Sequence, residues 1–259
     1  MSDELRVHVR PTLRDATLLL AFEGWNDAGE SASAAARYVA EAIAAAPLAE
    51  IDPESFYDFT VRRPRVEMAG TNERRIAWPE NRLCYGSIAP ERDLVVGVGI
   101  EPHLRWRRYA DLLVGLGREL GVRRVVLLGA YLADVLYSRP VGVTGFAWPA
   151  SLLEGLGVRG SSYEGPTGIV GVLGVCFAGE GLEVLSLWAA LPHYISAQPN
   201  PRGALALVQV LRGALRLPLD TAPLERRAAE FEERISALVA ADPELAEYVR
   251  QLKRREFAQ

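Results

Sequence analysis

The feature that most constrains the fold is the alternation of continuous apolar runs with helical patterns. The run ATLLLAFEG at residues 16–24 ends at a glycine and predicts a buried strand. The alanine-rich segment 27–46 follows, has polar residues at its start, and predicts a helix. A strand, a short turn and a helix open an α/β unit, so the chain predicts a sheet with helices on both faces.

The same order recurs along the chain. Apolar runs predict further strands at 92–101, 122–134, 139–148 and 181–192. Amphipathic patterns predict further helices at 105–121 and 200–216. Pro201 suits the first position of the last helix. Residues 56–86 are more polar and predict extended segments or a hairpin. We therefore expect an α/β fold over residues 1–218, with three α/β/α layers and roughly six or seven mostly parallel strands.

Residues 219–259 follow a different pattern and predict a C-terminal helical segment. Asp242 and Pro243 predict the start of its second helix. Its apolar residues recur at alternating spacings of four and three, as in a coiled-coil seam, at Leu224, Ala228, Phe231, Ile235 and Leu238. The seam packs either on the chain's own core or against a second subunit. An exposed stripe of this kind favours a homo-oligomer.

Charge and residue usage exclude several classes of function. The net charge is -4 over 259 residues, which gives no reason to expect nucleic-acid binding. No apolar stretch reaches the roughly 20 residues of a membrane span, and the charged N-terminus lacks a secretory signal. We therefore expect a cytoplasmic protein without membrane contact. Lys253 is the single lysine, which disfavours Schiff-base chemistry and phosphate loops that require lysine.

The potential metal ligands are scattered along the sequence. Cys84 and Cys176 lie far apart without partner motifs, and none of the three histidines has a second ligand at metal-binding spacing. The sequence therefore predicts neither a metal site nor a cofactor.

Polar side chains follow the predicted strands at their carboxyl ends, where parallel α/β sheets bind ligands. The candidate cleft residues are Asn26, Asp27, Glu101, Arg105, Asp134, Arg139, Tyr163, Glu164, Thr167 and His193. Carboxylates placed together repel one another, so we expect arginine and histidine to pair with them. Structural alternatives remain open for these residues. Asp27 could serve only the start of the following helix, Glu101 could pair with Arg105, and His193 could be a structural histidine.

The stretch YEGPTGIVGV at 163–172 is rich in glycine like a phosphate loop, but Ile169 stands where such a loop has lysine. It predicts a helix that begins near Thr167, with Thr167 as its N-cap. Gly168, Gly171 and Gly174 recur every three residues, which predicts close packing against a neighbouring element.

No nucleophile paired with a base is visible, and the chain lacks a Gly-x-Ser-x-Gly elbow. Two functions remain open. The chain is either a non-enzymatic assembly factor or scaffold that acts through protein–protein contacts, or a small-molecule hydrolase or phosphorylase-like enzyme that uses the strand-end cleft. Fold alone does not decide between them, and the missing nucleophile favours the first.

Several long motifs occur in a fixed order, including FEGWNDAGESASAAARY, IEPHLRWRRYA, LGAYLADVLYSRPVGVTG and LSLWAALPHYISAQPNPRGALAL. Over about residues 16–216 they resemble the bacterial branch of the family named after proteasome assembly chaperone two. The resemblance implies a three-layer α/β/α fold related to nucleoside phosphorylases and similar hydrolases. It also implies oligomers and a protein client, because eukaryotic and archaeal relatives help to assemble proteasomes. Some bacterial members carry a label as ATP-grasp ligases, against which the single lysine argues.

Two motifs of this chain depart from that family. Its bacterial members usually have Asp-x-Pro-His-Thr-Arg-Pro, whereas here Leu136, Tyr137 and Ser138 replace the proline, histidine and threonine. The reference pKa of tyrosine is about 10 against about 6.5 for histidine, so we expect no equivalent acid–base role. Archaeal relatives dock into proteasome rings through a tail that contains a tyrosine. This chain has Ala258 there, so we do not expect docking by that route.

Overall fold

The structure is a computed structural model that describes residues 4–257, so Ala258 of the tail motif lies outside the described residues. Its strands are β1 (Leu5–Val7), β2 (Thr17–Glu23), β3 (Ala46–Ile51), β4 (Arg65–Met68), β5 (Arg74–Ala77), β6 (Asn81–Ala89), β7 (Arg92–Ile100), β8 (Arg124–Ala133), β9 (Val143–Trp148), β10 (Arg159–Gly160) and β11 (Glu183–Pro192). Its α-helices are α1 (Ser31–Ala42), α2 (Trp106–Glu119), α3 (Ile169–Gly179), α4 (Pro201–Leu215), α5 (Ala222–Ala241) and α6 (Pro243–Phe257). None of these described helices is long and apolar enough to cross a membrane.

Nine strands form one sheet in the order β1-β3-β6-β7-β2-β8-β11-β9-β10, while β4 and β5 form a separate hairpin. The four central strands β7, β2, β8 and β11 are parallel, as the sequence predicts. The flanking strands are mixed, because β6 and β9 each run antiparallel to their central neighbour. Only two residues join β6 to β7, and so short a connection permits only an antiparallel pair.

Helices cover both faces of the sheet and confirm the three-layer prediction. The side chains of Leu18 and Leu19 point to opposite faces, as successive residues of a strand do. Leu18 packs in a core with α2 and α3, and Leu19 packs in a core with α1 and α4. Both faces of the central strands are therefore buried, which explains their continuous apolar runs.

The C-terminal helices pack on the chain's own core. The buried seam of α5 consists of Leu224, Ala228, Phe231, Ile235 and Val239. Phe231, Ile235 and Val239 form a cluster with Val249 and Leu252 of α6 and with Leu136, which follows β8. The seam is thus covered within one chain and no longer argues for a second subunit. The division of the chain at residue 218 remains a prediction.

One member of the predicted seam is wrong. Leu238 is 58% exposed, and Val239 is the buried residue that follows Ile235. The predicted helix starts are confirmed for α4 and α6, where Pro201 and Pro243 occupy the first positions. At α6, the Asp242 carboxylate accepts hydrogen bonds from the N–H groups of residues 244 and 245 at 3.0 and 3.1 Å.

Candidate functional site

Because β2, β7, β8 and β11 are parallel, their carboxyl ends lie at one edge of the sheet. Asn26 and Asp27 follow β2, Glu101 follows β7, Asp134 follows β8 and His193 follows β11. The structure thus places these five residues at the strand-end edge. Their hydrogen bonds divide them between two polar groups and a helix start.

The inner polar group consists of Asn26, Glu101 and the main-chain N–H of Ile169. Glu101 Oε1 accepts hydrogen bonds from Asn26 Nδ2 at 2.7 Å and from Ile169 N at 2.8 Å. Ile169 is the first residue of α3, so the carboxylate lies at the positive end of that helix. Asn26 is fully buried, and its Oδ1 has no hydrogen-bond partner within residues 4–257. This group ties together the ends of β2 and β7 and the start of α3.

The predicted capping of α3 by Thr167 is wrong. The helix begins at Ile169, and its N-cap is Gly168, which has an extended backbone and no side chain. The capping interaction comes instead from Glu101, which is distant in the sequence. Thr167 is exposed, and its side chain lies against Gly171. A Cβ on Gly168 would overlap the side chains of Asn26 and Glu101, so the predicted close packing is present at this glycine.

Asp27 serves the start of α1. Its Oδ1 accepts hydrogen bonds from Ala32 N at 2.6 Å and from Ser33 N at 3.3 Å, near the positive end of the helix. The side chain is buried. Burial raises the pKa of the Asp27 carboxyl above its ordinary value, although the hydrogen bonds from Ser33 and Ala32 act in the opposite direction. The structural alternative for Asp27 therefore matches its observed contacts.

The raised pKa of Asp27 gives an expected pH dependence. A carboxyl whose folded-state pKa is raised contributes stability that is present below its unfolded pKa and is lost as the pH rises. In Asp27→Asn the amide oxygen still accepts from Ala32 N and Ser33 N, but the side chain stays uncharged. We expect the free energy of unfolding of Asp27→Asn, relative to the parent protein, to increase between about pH 3 and pH 7. Denaturant titrations across this range measure that difference.

Asp220→Asn is the matched control, because it makes the same exchange at an exposed helix start where Asp220 Oδ1 accepts from Ala222 N at 2.9 Å. A difference between Asp27→Asn and the parent protein that shrinks with rising pH would show that the helix start, and not burial, controls the ionisation of Asp27.

The outer polar group consists of Asp134, His193 and Tyr248. His193 Nε2 lies 2.8 Å from Tyr248 Oη and 3.0 Å from Asp134 Oδ1, and Tyr248 Oη donates to the same carboxylate oxygen at 3.3 Å. All three residues are solvent-accessible, and the Tyr194 ring packs edge-on against those of His193 and Tyr248. The group joins the segments after β8 and β11 to α6.

The outer polar group contains no activated nucleophile. Partial desolvation, followed by the nearby Asp134 carboxylate, raises the pKa of the Tyr248 hydroxyl above its ordinary value, so the phenol stays protonated at neutral pH. Burial likewise raises the pKa of the Cys84 and Cys176 thiols. The contacts of His193 are those of a hydrogen-bonded histidine that holds α6.

Four other predicted residues lie apart from both polar groups. Arg105 Nη1 donates to Glu4 Oε1 at 2.9 Å, so the contact of Arg105 differs from the alternative in which it pairs with Glu101. Arg139 Nε lies 3.5 Å from Glu256 of α6. Tyr163 and Glu164 are exposed, and the Tyr163 hydroxyl donates to the carbonyl of Pro166 within the same loop. The candidate carboxylates are therefore not gathered in one ion-paired floor.

A cavity of about 470 Å³, which we call the C-terminal cleft, lies between the strand-end segments and the two C-terminal helices. The core contributes Asp134, Leu136 and Arg139 among others, and the C-terminal helices contribute the facing wall. Its charged lining residues are Asp134, Arg139, Arg159, Arg202, Glu232, Arg255 and Glu256. Within residues 4–257, no cluster of three or more His, Cys, Asp or Glu side chains is placed to hold a metal ion.

Sequence reasoning missed Tyr248, Arg202 and Arg255 at this edge. Tyr248 has helical spacing with apolar neighbours in α6, which predicts a packing role and gives no sign of its bond to His193. Arg202 and Arg255 stand at the start of α4 and the end of α6, where no local pattern separates them from other surface arginines. Arg202 and Arg255 line the same cavity only because the C-terminal helices pack against the core, and the sequence does not reveal that arrangement.

Solved structures share this architecture. A PAC2 family protein from Streptomyces avermitilis is 40% identical, with a TM-score of 0.83 over 91% of this chain and 100% of that chain. A proteasome-assembly chaperone homologue from Mycobacterium tuberculosis is 40% identical, with a TM-score of 0.82 over 90% of this chain and 99% of that chain. An archaeal proteasome activator from Pyrococcus furiosus shares the fold at 21% identity, with a TM-score of 0.70 over 90% of this chain and 97% of that chain.

Comparison with curated proteins gives no match. The sequence itself matches the PAC2 family over residues 21–239, which includes the end of β2, all of β7, β8 and β11, both polar groups except Tyr248, and most of α5. This match and the two relatives at 40% identity agree with the fold. The chain therefore belongs to the PAC2 family.

Proposed function

We propose that this protein acts through protein–protein contacts, as an assembly factor or scaffold of the kind named for its mycobacterial relative. That relative is described as a proteasome-assembly chaperone homologue. The single observation that most supports the proposal is an exposed apolar surface on the α3 side of the sheet. We call this surface the α3-side patch and define it by Tyr131, Phe146, Trp148 and Val175.

The patch follows from strand register. Trp148 and Phe146 of β9 pair with Val184 and Ser186 of β11, and directly paired residues share a face of the sheet. Val184 packs in the same core as α3, so both aromatic side chains project from the face that α3 covers. No helix packs over them among the described residues: Phe146 is 50% and Trp148 57% exposed.

The composition of α3 supports the same conclusion. Its sequence IVGVLGVCFAG contains no charged residue, and a helix that is apolar on every side is normally buried on every side. Val175 is nevertheless 75% exposed in the single chain. Val175 and the two aromatic side chains thus lie on the same side of the sheet, and exposed apolar surface on one side of a domain marks interaction sites in many proteins. The enzyme alternative has no comparable support, because neither polar group contains an activated nucleophile and the pKa of the Tyr248 hydroxyl is raised.

The experiment places a charge in the patch. Val175→Glu puts a carboxylate on an exposed helical position, where the fold tolerates it but a buried interface does not. Burying a valine is worth about 1.5–3 kcal/mol, so we expect at least about tenfold weaker partner binding. The assay mixes the full chain with the proteasome subunits of its own source organism. Binding and the rate of ring assembly are then followed by analytical ultracentrifugation.

Val61→Glu is the matched control, because Val61 is 69% exposed and lies outside the patch. Equal binding by both variants would refute the patch as the interface, and absence of any effect on assembly would refute the proteasome client. Homo-oligomerisation and a cytoplasmic location remain predictions. Because the α5 seam is covered within the chain, we expect self-association to use the α3-side patch. Light scattering of the parent protein should then give a mass above the 28.3 kDa of one chain, and Val175→Glu should return that mass to one chain.

A further inference from the structure

We propose that the C-terminal cleft binds a small organic anion through a phosphate or carboxylate group. The cleft lies at the strand-end edge and is not lined by any of the four residues that define the α3-side patch, so the proposal does not rest on the function proposed above. Its first support is the convergence of four arginines from four separate elements. Arg139 follows β8, Arg159 lies in β10, Arg202 begins α4 and Arg255 lies in α6. Guanidinium groups bind phosphate and carboxylate through paired N–H donors.

The cleft is lined by more arginines than carboxylates. Three carboxylates line the same cavity, those of Asp134, Glu232 and Glu256, which gives four positive and three negative side chains. Asp134 is bonded to His193 in the outer polar group. Among residues 4–257, the three carboxylates of the cleft are paired with Arg139, His193 and Arg202, and none is paired with Arg159 or Arg255. An anion can therefore bind there without displacing an internal partner.

The ion pair of Arg202 is long. Arg202 and Glu232 are separated by 3.5 Å, whereas charge-assisted hydrogen bonds are usually about 2.7–2.9 Å long. Arg202 is also fixed in place, because its Nη2 donates to the main-chain carbonyl of Arg139 at 2.7 Å. Its side chain is only 13% exposed. The low exposure of Arg202 strengthens its attraction for an incoming anion.

The rest of the lining defines the body of the ligand. Leu136, Phe231, Ile235 and Leu252 form an apolar wall beside the arginines. A volume of about 470 Å³ lies within the range of small-molecule sites, which is roughly 300–1,000 Å³. The ligand expected from this lining has an anionic head and a compact apolar or aromatic body.

Both the core and the C-terminal helices contribute arginines to the cleft. We therefore expect ligand binding to be coupled to the position of the C-terminal helices. Arg139 and Arg202 belong to the core, whereas Arg255 belongs to the last helix. An anion held between them adds a contact between the core and α6. Bound ligand should therefore stabilise the closed position of the C-terminal helices, since it binds the closed form in preference to an opened one.

Titration of the full chain with three matched probes tests the proposal. Phenyl phosphate and benzoate share an aromatic body and differ in the anionic group, and benzyl alcohol is the neutral counterpart. At low ionic strength we expect saturable chemical-shift changes at cleft residues with at least one anion, and at least tenfold weaker binding of benzyl alcohol. The stronger anion identifies the head group as phosphate or carboxylate. Addition of salt should weaken the binding, because the attraction is partly electrostatic.

Arg255→Gln and Arg159→Gln test the residues themselves. Each should weaken binding of the preferred anion about tenfold, as expected for the loss of a charged hydrogen-bonding partner. Arg254→Gln is the matched control, because it removes the same charge from α6 at a position that does not line the cleft. Equal binding by Arg255→Gln and Arg254→Gln, equal binding of benzyl alcohol and the anions, or no saturable change with any probe would each overturn the proposal.

Discussion

Replacement of Gly168 by alanine is expected to lower the free energy of unfolding by about 3 kcal/mol. The backbone of Gly168 has φ -95° and ψ -171°, which alanine adopts freely, so the cost comes from the side chain alone. An added Cβ would lie 2.5 Å from Glu101 Oε1 and 2.7 Å from Asn26 Nδ2. Overpacking of this kind costs about 1–3 kcal/mol, and displacement of the Glu101 carboxylate weakens its bonds to Asn26 and Ile169.

Gly115→Ala is the matched control, because Gly115 lies inside α2 and a Cβ there meets nothing within 4 Å. We expect it to raise the free energy of unfolding by about 0.5–1 kcal/mol, since alanine in a helix interior is favoured over glycine by that amount. Denaturant unfolding followed by circular dichroism measures both variants. A Gly168→Ala protein as stable as the parent would show that Glu101 does not need its observed position to hold the start of α3.

The overall architecture was predictable because it depends on local patterns. Each apolar run is long enough to identify a buried strand, and parallel strands place their carboxyl ends at one edge whatever their order. This is why Asn26, Asp27, Glu101, Asp134 and His193 could be placed on that edge from the sequence. The outer strands β1, β3 and β10 were harder to predict, because β1 and β10 have only three and two residues and β3 contains Pro47.

The partners of these residues were not predictable from the sequence. Glu101 is 75 residues from Asn26 and 68 residues from Ile169, so no spacing rule relates them. The sequence instead offered Arg105 as a partner for Glu101 and Thr167 as the N-cap of α3. Both are close in sequence to the group that they were paired with, and helix-start patterns consider only such neighbours. After Ile235, both Leu238 and Val239 continue an apolar spacing, and only the packing of α5 decides which residue is buried.

The glycine-rich loop at residues 163–172 does not form a phosphate-binding helix start, because a carboxylate already occupies the start of α3. A phosphate site at a helix N-terminus uses free N–H groups together with the positive end of the helix. In this protein the Glu101 carboxylate already accepts from Ile169 N at 2.8 Å. An incoming phosphate would face that negative charge at close range, so the arginines of the C-terminal cleft are the better anion site.

The residues at which segment 134–140 departs from the family motif pack against the C-terminal helices. Leu136 is buried in the cluster formed by α5 and α6, and the main-chain N–H of Tyr137 donates to the Tyr194 hydroxyl at 2.9 Å. The residues that replace the proline and histidine of the motif therefore occupy the contact between core and C-terminal helices. In this chain the segment contributes to packing and to the wall of the cleft.

Replacement of Phe231 by alanine is expected to have the largest effect on that contact. Phe231 is 4% exposed in the cluster with Leu136, and the Arg234 guanidinium covers its ring at 5.7 Å from the ring centroid. Truncation of a buried phenylalanine costs about 3–5 kcal/mol, because it removes apolar burial and leaves a cavity. We expect a loss of about 3 kcal/mol in the free energy of unfolding, measured by denaturant titration.

Hydrogen exchange distinguishes a general loss of stability from local opening of the C-terminal helices. If α5 and α6 detach before the sheet unfolds, Phe231→Ala should accelerate exchange in these helices and leave the central strands protected. Leu238→Ala is the matched control on the same helix, because Leu238 is 58% exposed and its truncation should change stability by less than about 0.5 kcal/mol. Equal losses in Phe231→Ala and Leu238→Ala would show that the C-terminal helices are not held by the cluster around Leu136, and the cleft between them and the core would then lack the rigid wall that anion binding requires.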